Sequence, residues 1–199
     1  MIVNERNHLK NQTFRIIAVS NRKLCKRPFL EQIERVCKIH PEAVILREKD
    51  LTKEEYGTLA KEVMDICSRY QVSCILHNFW ETAIELGCTS VHLPLPVFQK
   101  LPDKEKNKFT KIGISIHSVE EAKEAERLGA SYLTAGHIYA TDCKKGLSPR
   151  GLEFLKEVCR EVSIPVYGIG GIKFDEEQWN AMEKCGAVGG CIMSGMMEI

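Results

Sequence analysis

The sequence predicts an α/β fold, a (β/α)8 TIM barrel, on three observations. Eight short apolar or β-branched runs alternate with polar amphipathic stretches from end to end. The amphipathic stretches carry explicit helix-start signals. The first run ends in Ser20-Asn21-Arg22 with no Gly-x-Gly-x-x-Gly behind it, which counts against a doubly wound open sheet. At 199 residues, 44% of them hydrophobic, the chain can bury one substantial core, so 1–199 is read as a single barrel domain.

Strands are expected at about 14–20, 43–48, 73–77, 90–93, 111–116, 132–138, 165–169 and 188–193, each a short run bounded by polar or glycine residues. Between them, Thr52-Lys-Glu-Glu55 and Ser118-Val-Glu-Glu121 read as capping boxes, and Asp175-Glu-Glu-Gln178 is a close analogue. Ser148-Pro149 places a cap residue before proline at the first helical position. Val119, Ala122, Ala125 and Leu128 supply one apolar helix face, and Gly87, Gly129 and Gly186 stop three helices. The chain stops at Ile199, shortly after the eighth strand, so the eighth helix is expected to be lacking. Either a partner subunit covers that flank, as in a homodimer, or the sequence is truncated.

Charge and cysteine usage exclude several function classes. With 28 basic and 27 acidic residues there is no global attraction for nucleic acid or an anionic membrane, so anion binding must be local and the partner a small molecule. The nine cysteines form no Cys-x-x-Cys pair and are odd in number, which supports neither a zinc site nor a disulfide framework. No segment approaches the roughly 18 apolar residues of a membrane span. A reducing cytoplasm is the expected setting.

In a barrel the chemistry sits at the carboxyl ends of the strands. Those ends carry Ser20, Arg47 and Lys49, His77 and Asn78, His92, Ser115 and His117, His137, Gly170 and Gly171, and Ser194 and Gly195. The glycine pairs after strands seven and eight offer bare backbone N–H groups of the kind that bind phosphate. Arg47 and Lys49 alternate along strand two, so both are expected to be buried at the mouth, with Glu48 and Asp50 facing away. His137 closes a strand and precedes the polar loop Thr141-Asp-Cys-Lys-Lys-Gly146, which makes it the candidate proton carrier. His77, His92 and His117 read as hydrogen-bonded packing residues. Cys143 has no base beside it in sequence, so it lacks the setting of a nucleophile.

Arg47-Glu-Lys-Asp50, Val91-His-Leu93, Ile112-Gly-Ile-Ser115, Gly129-Ala-Ser-Tyr132, Gly136-His137, Thr141-Asp-Cys-Lys144 and Gly168-Ile-Gly-Gly171 resemble the thiamine phosphate synthase/TenI superfamily over roughly residues 14–196. The resemblance implies one of two activities. The synthase joins an aminopyrimidine diphosphate to a thiazole phosphate, with magnesium held by two aspartates. The positions of those aspartates carry Phe79 and the Pro94-Leu-Pro-Val97 stretch here. The thiazole tautomerase has histidine after the strand-six glycine, as at His137, and shifts a proton in a non-aromatic thiazole carboxylate phosphate without a metal.

The implied main reading is the tautomerase, with no cofactor. His137 would be catalytic, Arg47, Lys49, Asn78, Ser115, Thr141 and Lys144 would bind substrate, and Gly170, Gly171, Ser194 and Gly195 would grip the phosphate. The alternatives are the synthase, which would bring magnesium, or a non-catalytic binder of a phosphate ligand.

Overall fold

The computed structural model describes residues 14–141, 144 and 146–199. Eight parallel strands close into a barrel in sequential order. They are β1 (Arg15–Val19), β2 (Ala43–Leu46), β3 (Ser73–His77), β4 (Ser90–Pro94), β5 (Lys111–Ile116), β6 (Tyr132–Gly136), β7 (Val166–Ile169) and β8 (Gly189–Ile192). Closure is made by β1 against β8, with Arg15 opposite Gly189 and Ala18 opposite Ile192.

Around the barrel run α1 (Phe29–Lys38), α2 (Lys53–Arg69), α3 (Trp80–Glu85), α4 (Leu95–Lys100), α5 (Asp103–Lys106), α6 (Val119–Arg127), α7 (Gly151–Glu161), α8 (Glu176–Lys184) and α9 (Ser194–Glu198). One of the three expected capping motifs forms the full reciprocal box, Thr52 with Glu55; the Asp175 side chain accepts from the N–H groups of Glu177 and Gln178, but the Gln178 side chain accepts from the Lys173 N–H instead of reaching back. Ser118 caps α6 alone, because the Glu121 carboxylate turns to the His117 N–H instead. Ser148 does not cap α7. That helix opens at Gly151, because the preceding Arg150 N–H is drawn to the His137 carbonyl at 2.9 Å.

The expected loss of the eighth helix is corrected by the five-residue α9, whose Met196 and Met197 are fully buried. The Gln32 side chain of α1 donates to the Met196 carbonyl at 2.7 Å, and Arg27 and Arg35 reach the Ile199 carbonyl. This turn covers the flank assigned to a partner subunit.

Strand alternation sorts the apolar side chains into two cores. Ile17, Val19, Ala43, Ile45, Ile75, Tyr132, Tyr167 and Cys191 fill the barrel interior, while Ile16, Ala18, Val44 and Leu46 pack outward under the helices. Gly113 is required by this filling: a Cβ there would lie 2.1 Å from the Tyr132 ring.

Tyr56 of α2, fully buried, donates its hydroxyl to the Leu46 carbonyl at 2.7 Å and accepts from the His77 N–H at 2.9 Å, joining the ends of β2 and β3. Replacing Tyr56 by Phe strands two buried backbone groups, and a loss of about 1–3 kcal/mol is expected in urea unfolding.

Candidate active site

A cavity of about 290 Å³ opens at the carboxyl ends of the strands. It gathers nine of the eleven expected site residues: Arg47, Lys49, Ser115, His137, Thr141, Lys144, Gly170, Gly171 and Ser194. Two stand elsewhere. Asn78 is exposed in a left-handed turn (φ 68°) whose N–H is held by the His92 carbonyl at 3.0 Å. Gly195 is enclosed in α9, where a Cβ would press on Ile192 and the Phe174 ring at 3.2 and 3.3 Å. His77, His117, Thr134 and Cys191 join the lining without having been singled out for it. Asp142, Cys143 and Lys145 lie outside the described residues.

The cations are carried by the loop after β2. That strand stops at Leu46, two residues short of its expected end, so Arg47 is half-buried and Lys49 exposed rather than both buried. Their alternation survives: both line the cavity, while Glu48 is 3% exposed and faces away from it. Glu48 accepts the Ser20 hydroxyl at 2.6 Å and the Arg22 N–H at 3.1 Å, and Ser20 Oγ in turn accepts the Arg47 N–H at 2.8 Å. The carboxylate thus braces the Arg47 backbone from behind, and among the described residues no ion pair neutralises the guanidinium. Among the described lining residues there is no aspartate or glutamate. Partial burial, then Arg47 and Lys144, push the Lys49 ammonium below its ordinary pKa.

His137 stands just past β6, following a cis peptide bond from Gly136. The residue is 6% exposed at the cavity wall, with Nε2 3.4 Å from the Leu147 carbonyl, a long and weak contact. The chain beyond it is tied to the β7 loop: the Ile138 N–H donates to the Ile169 carbonyl at 2.9 Å and the Tyr139 N–H to the Gly170 carbonyl at 3.0 Å. Gly170 and Gly171 take φ of 94° and 72°, and a Cβ on Gly170 would lie 2.3 Å from that of His137. Only glycine lets this loop adopt the left-handed backbone while touching the histidine.

Deeper in the barrel, His92 is held by Tyr132 Oη at 3.0 Å and Ser115 Oγ at 2.8 Å, with the His77 ring stacked at 6.0 Å. Burial, reinforced by Arg47, pulls the His92 pKa down to about 3; burial, His92, Arg47 and Lys49 pull that of His77 down to about 2. Both rings are therefore neutral near pH 7. The unfolded chain protonates them near pH 6.5, so below that pH it binds more protons than the folded form. Stability is expected to fall as pH drops from about 6.5 toward 5, by up to about 1.4 kcal/mol per pH unit for each ring. Urea unfolding at pH 7, 6 and 5 measures this slope, and His92→Gln should remove one ring's share of it.

Magnesium, which the synthase reading requires, finds no carboxylate among the described residues at the two positions where the resemblance places its aspartates. Phe79 packs its ring 4.3 Å from that of Tyr56, and Val97 is half-buried against the outer core. No cluster of three or more histidine, cysteine, aspartate or glutamate side chains suited to a metal occurs among the described residues.

The model of the thiamine monophosphate synthase family matches residues 16–196. A putative thiamine-phosphate synthase 2 of Aquifex aeolicus is 37% identical over 162 residues, covering 81% of this chain and 87% of that protein. The thiamine-phosphate synthase of Clostridium acetobutylicum is 35% identical over 196 residues, covering 96% and 90%. The solved thiamine phosphate pyrophosphorylase from Pyrococcus furiosus superposes with a TM-score of 0.78 at 26% identity, covering 93% of this chain and 88% of that one. These names fit the synthase alternative better than the tautomerase. The family match over nearly the whole barrel and the identities of these relatives settle the membership: the chain belongs to the thiamine monophosphate synthase family of enzymes.

Proposed function

We propose that the chain is a thiazole tautomerase, moving a proton within a non-aromatic thiazole carboxylate phosphate to give the aromatic isomer. The observation that carries this reading is the cavity wall: Arg47, Lys49 and Lys144 with no carboxylate among the described lining residues, and three imidazoles, of which His137 is the one packed against the Gly170 loop. Gly170, Gly171 and Ser194 would hold the phosphate, and the cations would meet the carboxylate.

The His137 imidazole takes the proton from the ring carbon that bears the carboxylate. The electron pair left behind spreads through the conjugated ring into the carboxylate and onto the exocyclic carbon, and the imidazolium returns its proton to that carbon. One group serves both steps, so no net proton is gained or lost. The eight described cysteines are all free thiols, in keeping with a cytoplasmic setting.

The second reading is the condensing synthase, favoured by the names of the relatives. Assays of both reactions on the purified chain, each with magnesium and with EDTA, separate the two. Proton shift that persists in EDTA, without appreciable condensation, is the expected result; robust magnesium-dependent condensation would displace the tautomerase as the main activity.

A further inference from the structure

Ser115 is the polar side chain of β5 that reaches the cavity, and its hydrogen bonds on the protein side are distinctive. Its Oγ lies 2.8 Å from His92 Nε2 and 3.4 Å from Thr134 Oγ1, while the other nitrogen of His92 lies 3.0 Å from Tyr132 Oη. His92 is 3% and Tyr132 3% exposed. Which way the protons run along this chain decides what Ser115 can offer a ligand.

A neutral imidazole donates from one nitrogen and accepts at the other. Among the described residues the Tyr132 hydroxyl has no hydrogen-bond partner besides His92. If His92 donated from Nδ1, the buried phenolic hydrogen would be left without an acceptor, at a cost of about 1–3 kcal/mol. If instead Tyr132 donates to Nδ1, the proton of His92 must sit on Nε2 and point at Ser115 Oγ. The Thr134 hydroxyl lies between the two, 3.3 Å from His92 Nε2 and 3.4 Å from Ser115 Oγ; with a proton on Nε2 it cannot donate to that nitrogen, and its hydrogen turns to the second lone pair of Ser115. Ser115 then has one capacity left, its own hydrogen, and one direction open, the cavity.

We propose that Tyr132 and His92 are positioning residues that fix Ser115 as a hydrogen-bond donor to the bound ligand. Neither touches the reacting atoms; they set the polarity of the one that faces them. Gly113 belongs to the same device, because only a missing Cβ lets the Tyr132 ring lie where its hydroxyl reaches His92.

The tautomer is read without any ligand by nitrogen-15 spectra of imidazole-labelled protein, the His92 signals being those that vanish in His92→Gln. A proton on Nε2 in the native chain is expected, and a mixture of both tautomers in Tyr132→Phe. A native proton on Nδ1 would overturn the proposal whatever reaction the enzyme catalyses.

The kinetic arm rests on the tautomerase reading and uses the thiazole carboxylate phosphate. Tyr132→Phe should lower kcat/KM about tenfold in the native background, yet less than about twofold when Ser115 is already Ala. Equal losses in the two backgrounds would reduce Tyr132 to packing and also overturn it. Should the chain turn out to condense rather than tautomerise, the same double-mutant cycle is read on the Kd for thiazole phosphate, with the same two outcomes.

Discussion

His137→Asn is expected to lower kcat for the proton shift by about 10²–10⁴-fold, the span commonly lost with a general acid–base group. Asparagine keeps a polar side chain of similar reach but cannot exchange a proton near neutral pH. On the proposed reading Gly170, Gly171 and Ser194, which line the cavity, grip the phosphate, so the Kd for the aromatic phosphate product should stay within about threefold. Stopped assays for turnover and calorimetry for binding check both halves. Turnover that survives intact would remove His137 from the mechanism, and binding that collapses with it would make the residue part of the grip.

Gly170→Ala is the second large effect. The added methyl would meet His137 Cβ at 2.3 Å and Cα at 2.8 Å, at a φ of 94° that alone disfavours any L side chain by about 1–2 kcal/mol. Since the loop cannot keep both its backbone and its contact with the histidine, it must shift, and the Gly170 carbonyl that accepts the Tyr139 N–H shifts with it. The affinity for the phosphorylated thiazole should fall at least about tenfold, while that for the phosphate-free alcohol changes little. Comparing the two ligands by calorimetry isolates the phosphate contribution. If the variant still prefers the phosphorylated ligand by the native margin, the phosphate is held somewhere else.

Much of this was readable beforehand because barrel strands are short and buried on both faces. Their β-branched runs, such as Arg15–Val19 and Ala43–Leu46, are bounded by polar residues that seldom sit inside a sheet. The strand ends then gave most of the cavity wall. What escaped depended on where each chain leaves its strand. Asn78 follows a residue that does line the cavity, but a left-handed turn carries it to the surface. His77 and His117 looked like packing residues because sequence alone does not say which strand-end side chains turn inward. Lys49 was expected to be buried on the assumption that β2 continues to Glu48, whereas the Ser20 hydroxyl takes the Arg47 N–H and the ladder stops. The short α9 carries few residues, too few for a periodic pattern to announce it.

The uneven pairing of charge at the mouth also bears on how fast a ligand arrives. Arg22 and Lys23 are matched by Glu48 and Asp50, whereas Arg47, Lys49 and Lys144 have no counter-ion among the described residues. On a chain whose net charge is only +1, these three cations give the cavity entrance a local positive potential that attracts a dianionic or trianionic molecule. Capture is drawn to that one spot from about a Debye length away, roughly 8 Å in physiological salt, and rising ionic strength slows encounter before it loosens the grip.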